Sequence, residues 1–260
     1  MTGQGNSPSS VVAPAARVGV SIVGARLDFA GTALFDGLAL ELPAGTWTCL
    51  VGPSGVGKTT LLRLVAGLAD PSPGTIVAAG DGKPLAGRVA WMAQQDLLLP
   101  WLDVLGNVLL GARLRGETPD RERAMALLAE VGLADRTGAR PRALSGGERQ
   151  RVALARTLME DRPVVLMDEP FSALDAITRA RLQEMARRLL AGRTVLLVTH
   201  DPMEALRLGD RVVVLAGRPA TLSPALDVPG TPPRPLTDPA LLALYQTLLQ
   251  RLAATPEPVA

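Results

Sequence analysis

The chain has 260 residues, of which 47% are hydrophobic and only 3% aromatic, with a formal net charge of +2. So small a charge, with scattered arginines and no aromatics interleaved among them, excludes a surface built for single-stranded nucleic acid, and no nucleic-acid partner is expected. No run of about 18 uninterrupted apolar residues offers a membrane span. The single cysteine, Cys49, allows no intramolecular disulfide and fits a reducing compartment.

In chain order, residues 1–17 are rich in Gly, Ser, Pro and Ala and read as a disordered tail. The opening MTGQGNSPSSVVAPAARVGV lacks the basic start and apolar run of a secretory signal, so a cytoplasmic protein is the base expectation. One folded domain is expected over 18–253. It begins with two strand-like segments, VSIVGARLDF and ALFDGLALEL, predicted to lie antiparallel. The apolar runs WTCLVG, VAWMA, PVVLMDE, TVLLVTH and RVVVLAG have the composition of parallel strands buried on both faces. Helical patterns separate them, which predicts an α/β domain around a mostly parallel sheet. Trp47, Trp91 and Cys49 read as packing residues of these strands.

The interval Gln94–Asp161 is far longer than a crossover helix requires, so an inserted helical subdomain is predicted over about 95–160, with RERAMALLAEVGL its clearest helix. At its start stands MAQQDLLLPW, Met92–Trp101, which sets three leucines and a tryptophan around a proline. Pro100 breaks regular structure, so this apolar cluster is expected at a bend, where polar residues are the rule. Near the far end, Asp238 and Pro239 offer an N-cap and first position for a helix that puts Leu241, Leu244, Tyr245, Leu248 and Leu252 on one face. Residues 254–260 read as a second disordered tail.

Chemistry concentrates first in GPSGVGKTT, Gly52–Thr60. It matches G-x-x-x-x-G-K-[ST] between a strand-like run and an amphipathic helix, the context a phosphate-binding loop needs. Gly52, Gly55 and Gly57 let backbone N–H groups turn inward around phosphate oxygens, with Pro53, Ser54 and Val56 completing the loop and Thr60 following it. Lys58 is expected to neutralise the β- and γ-phosphates, and the Thr59 hydroxyl to coordinate Mg²⁺. The run PVVLMDEP then ends a strand in two acids: Asp168, expected to hold the Mg²⁺ shell, and Glu169, expected to orient or deprotonate an attacking water.

Between these two motifs lies LSGGERQRVALARTL, in which Leu144–Glu148 resembles the signature of ABC-type ATPases. The resemblance extends from about Val20 to Leu252. SALD, ending at Asp175, is similar to that family's D-loop; VTHD supplies His200 at the place of the switch histidine; Gln94 stands where the Q-loop glutamine stands; and Phe29 lies where the family carries an aromatic that stacks on adenine. The resemblance implies a RecA-like P-loop NTPase core with an N-terminal antiparallel β subdomain and an inserted α-helical subdomain. It implies ATP hydrolysis with Mg²⁺, with Gln94 joining Thr59 and Asp168 around the ion and Lys58, Gln94, Glu169 and His200 as the catalytic set. Ser145, Gly146, Gly147 and Glu148 open a helix whose dipole and N–H groups suit a phosphate; in this family that phosphate belongs to nucleotide held by the opposite subunit. A homodimer with two ATP molecules sandwiched head-to-tail follows. Glu148 stands where the family commonly has Gln.

The chain lacks a coiled-coil insertion, a second cassette, fused membrane helices and a long C-terminal β domain, so among ABC proteins a stand-alone importer ATPase fits best. A non-transport ABC ATPase switching a soluble partner is the alternative. The importer reading implies two multispanning permease subunits, a periplasmic or lipoprotein solute-binding protein acting through them, and a peripheral position on the cytoplasmic face of the inner membrane. QQDLLLPWLDVLGNV resembles the nitrate, sulfonate and taurine importer group, and WMAQQDLLLPW, with Ala93 before Gln94, the importers of hydroxymethylpyrimidine, a thiamine precursor. In importer ATPases the segment after the Q-loop glutamine helps form the groove for a permease helix. Leu97–Trp101 then reads as that seat, as packing of the helical subdomain, or as both.

Overall fold

The computed structural model describes residues 17–253 apart from Ala30 and the Phe29 side chain. The two predicted tails, within 1–16 and 254–260, lie outside the described residues. The chain runs β1 (Val20–Phe29), β2 (Thr32–Leu42), β3 (Trp47–Val51), α1 (Lys58–Val65), β4 (Ile76–Ala79) and β5 (Val89–Met92). Four helices follow, α2 (Val104–Val108), α3 (Leu110–Leu114), α4 (Arg121–Glu130) and α5 (Gly146–Met159). The chain then alternates through β6 (Val164–Asp168), α6 (Ala176–Leu189), β7 (Thr194–Val198), α7 (Pro202–Leu208) and β8 (Arg211–Ala216). Two short strands, β9 (Thr221–Leu222) and β10 (Leu226–Asp227), precede the last helix, α8 (Pro239–Ala253).

The larger sheet has the order β10-β8-β3-β7-β6-β5, and every pairing from β8 to β5 is parallel. Its strands read as continuous apolar runs because alternate residues feed two cores. Cys49, Val51, Val165, Met167, Val195, Leu197, Val212 and Val214 face the helices α4–α8. Leu50, Val164, Leu166, Leu196, Val198, Val213 and Leu215 face α1 and the second sheet. That sheet is antiparallel with order β2-β1-β4 and contributes Val20, Ile22, Phe35, Leu38, Leu40 and Leu42 to the second core. The architecture is the α/β P-loop NTPase expected, with its antiparallel sheet and helical insertion.

Cys49 is fully buried, and burial pushes its thiol pKa far up, so it is an inert packing group. Trp47 is buried beneath the Arg187 guanidinium, 4.7 Å from the ring centroid, whereas Trp91 is only partly buried. In α8, Leu241 and Leu248 are buried, with Leu244, Tyr245 and Leu252 packed beside them, and the Asp238 carboxylate caps the helix by accepting from Ala240 N at 2.9 Å.

The segment around Pro100 is indeed a bend, stapled by a buried side chain. Asn107 Oδ1 accepts from Leu99 N at 2.7 Å, and Asn107 Nδ2 donates to Leu99 O at 3.2 Å and Asp103 O at 3.0 Å. The apolar cluster divides there. Leu98 packs into the helical core at 9% exposure, while Leu97 and Trp101 stand out at 53% and 66%. Leu98 thus takes the packing role within the run Leu97–Trp101, while Leu97 and Trp101 leave apolar surface open to solvent.

Candidate active site

At the end of β3 the chain turns through Gly52–Gly57 into α1. Gly52 cannot carry a side chain, since a Cβ there would stand 2.2 Å from Leu215 O. Gly57 caps α1 with φ of 108°, a left-handed conformation that glycine adopts without steric cost. Val56 is 8% exposed and anchors the loop into the core rather than facing ligand. Lys58 is buried, its Nζ donating to Gly52 O and Pro53 O at 2.8 Å each. Burial pushes the Lys58 pKa down, against the opposing pull of Glu169 and Asp168.

An open cleft of about 700 Å³ lies over this loop, lined by Ser54, Gly55, Gly57, Lys58, Thr59, Thr60, Gln94, Asp168 and Glu169, and also by Thr32–Leu34 and Arg218. Gly52 and Pro53 serve through their carbonyls on Lys58 instead of lining it. Thr59 Oγ1 donates to Asp168 Oδ2 at 2.6 Å. Burial raises the Asp168 pKa, the Thr59 bond opposing it. These facing oxygens suit Mg²⁺, a hard cation that takes few protein ligands and completes its shell with water and phosphate. Among the described residues no cluster of three or more His, Cys, Asp or Glu could hold a metal ion.

Glu169 follows β6 with φ of 49°, in the left-handed region where a non-glycine residue is strained and often functional. Its backbone is fixed from three sides: Glu169 N donates to Val198 O at 2.9 Å, and Glu169 O accepts from Gln150 Nε2 at 2.9 Å and Ser172 Oγ at 3.0 Å. Its carboxylate Oε2 lies 3.1 Å from His200 Nδ1. His200 is thus joined to the cleft through Glu169 and does not line the cleft itself, its side chain being 60% exposed.

Other expected residues lie elsewhere. Ser145 is the N-cap of α5, and Ser145 and Glu148 form a reciprocal capping box: Glu148 N donates to Ser145 Oγ at 3.2 Å and Ser145 N donates to Glu148 Oε2 at 2.7 Å. Those bonds to Ser145 hold the Glu148 pKa below the usual carboxylate range. Ser145–Glu148 do not line the cleft of their own chain; Ser145 and Gly146 are exposed. Asp175 is also exposed and outside the cleft, where its carboxylate caps α6 by accepting from Thr178 N at 3.0 Å. The backbone of Phe29 ends β1 opposite Thr32, and its side chain is outside what the structure describes.

Several residues near the site carry no motif signal. Buried Gln150 bridges the acid strand and the segment after it, accepting from Ala173 N at 2.9 Å. Behind Glu169 and His200 sits Glu204, 8% exposed, accepting from Gln183 Nε2 at 2.8 Å; burial raises its pKa, against hydrogen bonds from Thr199 and Gln183. Past Gln94, the loop is tied to α5 by two arginines. Arg149 Nε donates to Asp96 Oδ2 at 2.9 Å, and Arg156 donates to Asp96 O at 2.7 Å and Leu97 O at 2.9 Å.

The family model described as ABC transporter matches residues 35–172. The aliphatic sulfonates import ATP-binding protein SsuB 1 of Rhodococcus jostii is 46% identical over 237 residues, covering 90% of this chain and 94% of that protein. An uncharacterized ABC transporter ATP-binding protein of Haemophilus influenzae is 46% identical over 239 residues, covering 90% and 98%. Among solved structures, the dimeric post-hydrolysis state of the ATP-binding cassette MJ0796 with ADP and Pi superposes with a TM-score of 0.71 at 28% identity, covering 82% of this chain and 100% of that one.

Proposed function

We propose that this chain, which belongs to the ABC transporter family of ATP-hydrolysing cassettes, is the energising subunit of an importer for aliphatic sulfonates. The observation that carries the hydrolytic part is the cleft that joins Lys58, the Thr59–Asp168 pair and the Glu169–His200 pair over one glycine-rich loop. The importer and its cargo rest on similarity to the Rhodococcus sulfonate-import protein, which matches over nearly its whole length. That similarity supports the sulfonate alternative, and no relative described above supports hydroxymethylpyrimidine.

In this reading the loop N–H groups and Lys58 hold the β- and γ-phosphates. Thr59, Asp168 and Gln94 would hold Mg²⁺, which when bound neutralises charge on the phosphate oxygens. The Glu169 carboxylate takes a proton from the water that attacks the γ-phosphorus, and His200, its Nδ1 3.1 Å from that carboxylate, orients it from outside the cleft and reaches the γ-phosphate only when the two copies close. The exposed signature of one copy, Ser145–Gly147, covers nucleotide held by a second, so two chains close on two ATP molecules. Asp175 and the α6 start meet at the same interface. Closure moves the helical insertion and, through Gln94 and the loop beyond it, two permease subunits at the cytoplasmic face of the inner membrane. A solute-binding protein delivers cargo on the other side. Among the described residues no helix is long and apolar enough to cross a membrane, in keeping with separate permeases.

Deletion of the gene tests the cargo. Loss of growth on an alkanesulfonate as sole sulfur source, with growth on sulfate retained, is the expected result. Unchanged growth on the sulfonate, with a new requirement for thiamine or its pyrimidine precursor, would overturn it.

A further inference from the structure

Among the described residues two cations line the nucleotide cleft, and only one belongs to a motif. Lys58 is buried and bonded to its own loop, whereas Arg218 is exposed and, among the described residues, has neither a hydrogen bond nor an ion pair. Arg218 sits at the turn between β8 and β9, and that turn is fastened on two sides. Leu215 and Ala216 pair with Leu222 and Thr221, and Ala220 N donates to Leu34 O at 2.8 Å, tying the hairpin to β2. Leu215 O presses on Gly52 so closely that a Cβ there would lie 2.2 Å away, tying it also to the start of the phosphate-binding loop. An unpaired side chain is therefore carried on a fixed base.

The sheet order says which end of the nucleotide it faces. β8 lies on one side of β3, while β6, with Asp168 and Glu169 at its end, lies on the other side beyond β7. The phosphate-binding loop leaves β3 between them. Arg218 and the acids therefore flank that loop from opposite sides, and the Ala220–Leu34 bond brings Thr32–Leu34, which also line the cleft, to the side of the Arg218 turn. A guanidinium carries five N–H donors, accepts nothing and stays charged, so it matches phosphate oxygens and ribose hydroxyls.

We infer that Arg218 is a nucleotide-binding residue that contacts ATP and ADP at their shared ribose and α-phosphate end, away from the hydrolytic step. It rests on the ATPase reading of this cleft, contributes to affinity and leaves the chemistry to the acid side.

The test is Arg218→Ala and Arg218→Lys in the full chain, with ATP and ADP affinities from a fluorescent-nucleotide competition and steady-state KM and kcat beside them. The alanine variant should bind both ATP and ADP more weakly by about two- to fivefold, the scale of one solvent-exposed charged contact, with KM raised to match and kcat unchanged. Lysine should restore part of the loss. Parental affinity for both nucleotides in the alanine variant would overturn the assignment. So would a fall in kcat at unchanged KM, or a loss for ATP alone, since each puts Arg218 outside the shared end. Failure of the parent chain itself to bind either nucleotide would instead remove the ATPase reading. Should the alanine variant unfold, Arg218→Gln serves in its place, and unchanged ADP affinity there equally overturns the assignment.

Discussion

Glu169 shows how a single residue is prepared for chemistry by its surroundings. Its left-handed backbone is held by Val198, Gln150 and Ser172, so its carboxylate starts from a fixed main chain, with His200 Nδ1 3.1 Å from its Oε2. Glu148 illustrates the opposite case: in place of the family's usual glutamine, its carboxylate serves α5 as half of a capping box. Glu204 gives a prediction with a definite sign. Its pKa is raised in the folded state, so its contribution to stability is full at acid pH and is lost as pH rises through the folded value. Glu204→Gln keeps an acceptor for Gln183 and removes the buried charge. The melting temperature of that variant relative to the parent should therefore rise over the pH range from the ordinary carboxylate value upward. A difference that stays flat over that range would show Glu204 charged at no cost.

At the scale of elements, the loop from Gln94 to Trp101 joins the nucleotide cleft to an exposed surface. Arg149 and Arg156 lash it to α5, so the loop and the signature helix are one mechanical unit, and Asn107 locks its proline turn. Leu98→Ala should cost stability by about 2–5 kcal/mol, the usual range for a truncated core leucine. Leu97→Ser with Trp101→Ser should leave the melting temperature nearly unchanged and reduce co-purification with the permease subunits. Intact co-purification of that double variant, or its unfolding, would remove these residues from the coupling surface. The bend at Pro100 was legible in the sequence, because proline acts locally. Which leucine turns inward was not, since that depends on packing against α2 and α5. Similarly, β4, β9 and β10 have two to four residues each, too few for a period to emerge.

For the molecule as a whole, the parallel sheet between two cores brings together motifs far apart in the chain. Lys58 and Glu169 were legible because each sits in a contiguous pattern at a strand end. Gln150, Glu204 and Arg218 were not, because their places arise only from strand order and helix packing. The signature and Asp175 lie outside their own chain's cleft, which is why the proposed catalytic unit has two copies. The most direct measurement is the sedimentation of Glu169→Gln with and without ATP and Mg²⁺, with its turnover measured in parallel. The expected result is a monomer that becomes a dimer with two bound ATP molecules and almost no turnover. A variant that stays monomeric with ATP bound, or that hydrolyses ATP at the parent rate, would contradict the two-copy ATPase.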